Sequence, residues 1–275
     1  MNILIIGGTG FLGASLSLFL RNQGHIVTIT SRDKNSDFFL DMALAPSDLE
    51  SAIRPLIDHT DFVINLSALS TYEACSNNYP DALRVNVIGA ITLIDILEAQ
   101  GIPSFFASSD VVYGPATIPS HESSSLAPSG NYAILKSIVD RYASSLNYPF
   151  VGRFSYIYSK NDRFTSYLAQ CCACNKPAQI FPLYRNMVYI NDVMQGILML
   201  AIGMPTLHSS RIINFSGPAL VGRLEYALAY KSLINSSLVI EEADPPSDFF
   251  TERPRVIATD STNFADLLQR KPYTI

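Results

Sequence analysis

Two hydrophobic patterns alternate along the first half of the chain. Short continuous apolar runs are followed by longer stretches in which apolar positions return every third or fourth residue. The first pattern marks strands buried on both faces, and the second marks amphipathic helices. Read this way, strands are predicted at Asn2–Ile6, His25–Thr30, Phe62–Asn65, Ser104–Ser108 and Phe150–Tyr156, with helices near 11–23, 47–57, 80–100 and 131–147. These intervals fit βαβ crossovers, and the right-handed crossover rule turns them into an α/β fold with a doubly wound, Rossmann-type parallel sheet. After about residue 157 the pattern loosens into a helix near 163–175, a strand-like Gln179–Pro182, a helix near 191–202 and a β-type Arg211–Asn214. A Ser/Pro-rich stretch between Pro115 and Gly130 reads as a surface loop, of a length that usually carries function.

Composition narrows the classes. With 275 residues, 48% of them hydrophobic and 16% charged, the chain can bury a large core, and disorder is excluded. A formal charge of −5 provides no broad basic field for nucleic acid or an anionic membrane. The apolar runs are short, and Met1-Asn2 leads directly into a strand without a basic leader, so a cytoplasmic protein with no membrane partner is expected. Of four cysteines, Cys171, Cys172 and Cys174 crowd onto one helix, where neighbouring side chains diverge. They read as buried or half-buried thiols, and no metal site is expected.

Candidate chemistry begins after the first strand, where Gly7-Gly8-Thr9-Gly10-Phe11-Leu12-Gly13 opens a helix. Strand, glycine turn and helix in this order suit a dinucleotide: Gly7 for the sharp turn, Gly10 for close approach of the pyrophosphate, Gly13 for packing helix on strand. Thr9, Phe11 and Leu12 complete the cradle. An NAD enzyme would place Asp or Glu at the end of the second strand, where this chain has Thr30-Ser31-Arg32. The hydroxyl and guanidinium of Ser31 and Arg32 suit a 2′-phosphate, so NADP(H) is preferred, with NAD(H) left open by the nearby Asp33. Residues 1–158 are accordingly expected to form a dinucleotide-binding domain, rejoined by about 187–205, with 159–275 mainly a smaller, less regular substrate lobe.

The fourth strand runs out into Ser108-Ser109-Asp110-Val111-Val112-Tyr113-Gly114, where an α/β sheet carries its ligand crevice. Downstream, Tyr132 and Lys136 lie four residues apart on one helix face. A cation there is expected to lower the phenol pKa, letting Tyr132 exchange a proton with a carbonyl or alcohol while Ser109 orients that oxygen. His121 and Glu122, in the long loop, are read as solvated and stay outside the catalytic set. Arg163, Arg185 and Arg223 are candidates for a substrate diphosphate.

With glycine turn, serine strand end and Tyr/Lys helix in this order, the sequence resembles the extended short-chain dehydrogenases/reductases. The resemblance implies a Ser109/Tyr132/Lys136 catalytic set. It also places Leu66-Ser67-Ala68, the helical Asn86, Ser108 and the Asp41-Met42 pair beside the cofactor. Ser108-Ser109-Asp110-Val111-Val112-Tyr113, Arg153-Phe154-Ser155-Tyr156-Ile157-Tyr158, Met187–Val193 and Arg253-Pro254-Arg255 with Asp260-Ser261 are similar to segments of dTDP-4-dehydrorhamnose reductases and of the regulatory beta subunit of methionine adenosyltransferase. This likeness implies an oxidoreductase of nucleotide-sugar and polysaccharide biosynthesis that reduces a nucleotide-linked 4-keto-6-deoxysugar. Ser109, Asp110, Val111, Tyr156 and Arg185 are then expected at the substrate. Tyr156 stands where those reductases commonly have Trp, and Phe181–Asn186 lacks their acidic-glutamine turn, so the sugar stays open. An NAD-retaining epimerase or dehydratase, and an NADP-binding regulatory subunit of a partner enzyme, are the alternatives. A homodimer is also open.

Overall fold

Successive residues of strand β1 (Asn2–Ile6) face different cores. In the computed structural model, which describes residues 1–203 and 211–274, Ile3 and Ile5 enter one hydrophobic cluster while Leu4 and Ile6 enter another. Alternation along a strand sends neighbours to opposite faces, so an unbroken apolar run means a sheet covered on both sides. Phe105 and Phe106 repeat the division.

Along the chain follow α1 (Phe11–Asn22), β2 (Ile26–Ser31), β3 (Phe38–Phe39), α2 (Pro46–Ile57), β4 (Phe62–Asn65), α3 (Tyr72–Asn77) and α4 (Tyr79–Leu83). One π-helical segment (Arg84–Gly89) leads into α5 (Ala90–Gln100), then β5 (Ser104–Ser109), β6 (Ala116–Ser120), α6 (Asn131–Ser144) and β7 (Pro149–Phe154). The second half holds β8 (Ile157–Tyr158), α7 (Arg163–Ala173), β9 (Ala178–Ile180), β10 (Tyr184–Arg185), β11 (Val188–Tyr189) and α8 (Ile190–Ala201). It ends with β12 (Ile212–Phe215), β13 (Val221–Gly222), α9 (Arg223–Leu233), β14 (Ile240–Glu242), β15 (Val256–Thr259) and α10 (Thr262–Leu268).

Seven of these strands form one parallel sheet in the order β12-β7-β5-β4-β1-β2-β3. On one face lie α1, α8 and α10, with Leu16, Leu20, Val193, Ile197 and Phe264 in the core; on the other lie α2, α5 and α6, with Leu49, Ile53, Leu93, Leu97 and Leu135. Each such side chain contributes roughly 1.5–3 kcal/mol relative to an exposed one. The strand order reverses between β1 and β4, which opens a crevice at their carboxyl ends.

A second, four-stranded sheet runs β13-β10-β15-β6, and α7 and α9 pack through Phe164, Leu168, Tyr226 and Tyr230. Here the sequence expectations need correction. The stretch 115–130 is not simply a surface loop, because Ala116–Ser120 pairs with β15. Glu122 is not solvated: it is buried, accepting from Asn214 N at 2.9 Å and Asn263 Nδ2 at 2.9 Å. His121 is exposed beside Asp260. Cys171 is buried, Cys172 half-buried and Cys174 exposed, and no group of three or more metal-ligating residues occurs among the described residues. No helix among them is long and apolar enough to cross a membrane.

Candidate active site

Backbone, more than side chains, shapes the crevice between β1 and β4. Gly7 has φ +83°, and a Cβ there would lie 2.8 Å from Ser67 N, so the turn after β1 and the segment after β4 touch. A Cβ on Gly13 would meet Gly7 O at 2.4 Å. Gly8, not assigned a role from the sequence, packs equally tightly, 2.4 Å from Ile29 Cβ. Gly10 differs, since a Cβ there would find only Gly7 O, at 3.3 Å, with open space beyond. Gly10 is also the N-cap of α1, and no side chain caps that helix, which leaves N–H groups of its first turn for an anion. Thr9, Phe11 and Leu12 flank this opening, with Phe11 exposed.

Beyond β2, Ser31 Oγ accepts from Asp33 N at 2.9 Å and Asp33 Oδ1 accepts from Asn35 N at 2.7 Å, so the Asp33 carboxylate serves its own turn. Arg32 is exposed, with no ion pair or hydrogen bond among the described residues. Asp41 Oδ1 accepts from Ala43 N, and Met42 is buried with its carbonyl against Gly89, where a Cβ would come within 2.1 Å. Asn86 braces the segment after Leu66-Ser67-Ala68: it accepts from Leu69 N at 2.8 Å and donates to Leu69 O at 2.9 Å. Its neighbours show it acting through that segment.

At the end of β5 the Ser109 hydroxyl donates to Asp110 Oδ1 and accepts from Val111 N, both at 3.4 Å, and it lies near enough to the Tyr132 phenol to pull its pKa down. Lys136, one turn along α6, donates to Ala107 O at 2.8 Å. Burial lowers its pKa to about 8, against the raising influence of Cys75 and Asp140. Burial likewise pushes the Tyr132 phenol upward, reinforced by Tyr72. The expected lowering of that phenol by the ammonium is not found: Lys136 is not among the main influences on it, and desolvation dominates. Beneath these residues lies a cavity of about 20 Å³ lined by Asn65, Ser67, Asn86, Ser108, Lys136 and Asp140, roomy enough for about one water.

Helix α6 is pinned from below. Asp140, buried, takes Arg153 Nη2 at 2.7 Å and Nε at 3.0 Å and Ser108 Oγ at 2.6 Å. The third Arg153 nitrogen donates to Tyr113 Oη at 2.7 Å and Glu122 O at 2.9 Å, so every nitrogen of this 3% exposed guanidinium has a partner. Ser108 thus serves the scaffold while Ser109, pointing to the opposite side of the strand, serves the site.

The second half contributes long side chains. Asp110 is buried, accepting from Ser155 Oγ at 2.9 Å and lying 3.7 Å from Arg185 Nε; burial raises its pKa and Arg185 opposes the rise. Arg185 also donates to the carbonyls of Tyr184, Pro254 and Arg255. Val111 packs inward with Val112, Ala133 and Ile257. The Tyr156 hydroxyl donates to Asp162, the cap of α7. Arg223 lies over the Phe164 ring at 4.8 Å without a carboxylate partner among the described residues, and the positive charges of Arg185 and Arg253 reach it. Arg253, overlooked in the sequence as a site residue, pairs with Glu73 and covers the Tyr72 ring at 4.9 Å. Arg163 is exposed, and its charge reaches Glu73, the carboxylate that Arg253 pairs with.

The profile of the NAD dependent epimerase/dehydratase family matches residues 3–214. The chain belongs to this family. Among its relatives, UDP-glucose 4-epimerase of Corynebacterium glutamicum is 26% identical over 147 residues, covering 51% of this chain and 45% of that protein. The chain thus spans about half the length of the curated relatives it matches. Two solved structures share the fold over the whole chain. A hypothetical dTDP-4-dehydrorhamnose reductase from Sulfolobus tokodaii has TM-score 0.87 at 23% identity, covering 100% of this chain and 97% of that one. MoeE5 in complex with UDP-glucuronic acid and NAD has TM-score 0.82 at 20% identity, covering 100% and 94%. The family's Rossmann-like sheet is what the alternating pattern of the first half predicts.

Proposed function

We propose that the protein is an NADPH-dependent reductase of a nucleotide-linked 4-keto-6-deoxysugar. The observation that carries this reading is Ser109 at the carboxyl end of β5, with Tyr132 and the Ala107-bound Lys136 on one turn of α6, in a fold that also holds an open glycine cradle after β1. Gly7, Gly10, Gly13 and the uncapped start of α1 fit a pyrophosphate, and Leu66–Ala68 with Lys136 would hold the nicotinamide half. When bound, the cofactor supplies the hydride. Ser109 then holds the sugar carbonyl oxygen by its hydroxyl, and Tyr132 donates its phenolic proton to that oxygen as negative charge develops. Lys136, held by Ala107 O, keeps the helix face cationic and stabilises the phenolate left behind. Arg223, which has no carboxylate in ion-pair contact among the described residues and has Arg185 and Arg253 at hand, fits the substrate diphosphate.

Arg32 and Ser31, with Asp33 turned into its own loop, support NADP(H) over NAD(H). The rival within the family is an epimerase that retains NAD, favoured by the NAD found in MoeE5. The two differ in net consumption. With purified protein and a panel of nucleotide 4-keto-6-deoxysugars, NADPH should be oxidised in proportion to sugar, and Arg32→Ala should reduce the preference for NADPH over NADH by about tenfold. Interconversion of sugars with tightly held NAD and no net oxidation would overturn the reductase in favour of the epimerase.

A further inference from the structure

Tyr72 has no part in the chemistry above. It opens α3, after the Thr71 cap whose Oγ1 accepts from Ala74 N at 3.0 Å. Its ring meets that of Tyr132 edge-on, with centroids 5.5 Å apart, and the Arg253 guanidinium covers it at 4.9 Å. Its hydroxyl is buried and has no hydrogen-bond partner among the described residues. Burial pushes its pKa up to about 12, and the nearby charges that act on it are Arg185, Asp110, Arg253 and Glu252. It is therefore a neutral O–H at physiological pH, able to donate or accept a hydrogen bond and unable to act as a base.

Stacking on Tyr132 and Arg253 needs only the ring, which phenylalanine would provide without the cost of a desolvated, unpartnered hydroxyl. The oxygen calls for a partner that the described residues do not supply. The nearby Asp110 carboxylate is already taken up by Ser109, Ser155 and Arg185.

We infer that the Tyr72 hydroxyl is a specificity-determining group that hydrogen-bonds the oxygen on the sugar carbon next to the reacting one. The inference rests on the nucleotide-sugar reading. Ser109 and Tyr132 hold the oxygen at position 4 of the sugar. Of the two flanking carbons, position 5 carries the ring oxygen, so position 3 bears the free hydroxyl that Tyr72 meets. The site then selects a vicinal pair of oxygens and discriminates against a 3-deoxy sugar, because the analogue leaves the Tyr72 oxygen unpaired.

The test is calorimetric titration of the NADP-saturated protein, wild type and Tyr72→Phe, with UDP-glucose, dTDP-glucose and their 3-deoxy counterparts, together with melting of the ligand-free proteins. Wild type should bind a parent sugar on the order of tenfold tighter than its 3-deoxy form. Tyr72→Phe should bind both alike, and should melt no lower than wild type, since it removes an unpaired buried polar group. Discrimination that survives in Tyr72→Phe, or wild type that binds parent and deoxy sugars equally, overturns the inference and leaves the nucleotide-sugar reading standing. A marked fall in melting temperature shows the hydroxyl to be structural and also overturns it. Wild type that binds none of these nucleotide sugars overturns that reading and the inference together.

Discussion

The side proposed for the cofactor and the side proposed for the substrate are built from different materials. Around the crevice between β1 and β4, function rests on what is missing: Cβ atoms at Gly7, Gly10 and Gly13, and a side-chain cap on α1. Across from it, the second half offers Arg185, Arg223 and Arg253, long cations carried on strands of two residues, a helix start and a segment between strands. A surface made by backbone is fixed by the fold and suits a ligand part that never varies, the pyrophosphate. A surface made by long side chains on short elements can be altered residue by residue without disturbing the sheet, which suits the part of a ligand that differs between relatives.

The scaffold beneath α6 gives the sharpest way to break this contrast. Arg153→Met leaves Asp140 as an unpaired buried carboxylate, and the expected loss of stability is about 3–5 kcal/mol, read by urea denaturation. A loss below about 1 kcal/mol would mean that the pair does not pin the catalytic helix. Gly10→Ala separates folding from binding on the cofactor side. With φ −71° at Gly10 and only Gly7 O nearby, the protein should fold with little change in melting temperature while NADPH binding weakens by about tenfold or more. Unchanged NADPH affinity would show that the pyrophosphate does not approach Gly10. Gly13→Ala is the control, because a Cβ placed 2.4 Å from Gly7 O disturbs fold and binding together.

Legibility in the sequence follows the same division. Strands β1, β4 and β5 are built around the apolar runs Ile3–Ile6, Phe62–Ile64 and Phe105–Ala107, and their bounds are readable within a residue from the pattern alone. Helix α3 escaped because its six residues bury only Cys75, so no period exists to be seen, and Tyr72 escaped with it. Helix α9 buries Tyr226, Ala227 and Tyr230, a core face too polar in composition to register as amphipathic. Strands β10 and β13, with two residues each, fall below any periodicity. Glu122 was misread for a related reason: in a Ser-rich stretch nothing local announces that Asn214 and Asn263, distant in sequence, will bury it.

The central claim, that Tyr132 transfers the proton in a reduction driven by NADPH, is tested most directly by nicotinamide absorbance with wild type beside Tyr132→Phe. Both proteins are brought to equal NADPH saturation and supplied with the nucleotide 4-keto-6-deoxysugar that wild type turns over fastest. Steady NADPH oxidation by wild type, reduced by about 100-fold or more in the variant, is the predicted result. Turnover by the variant at the wild-type rate would contradict the account.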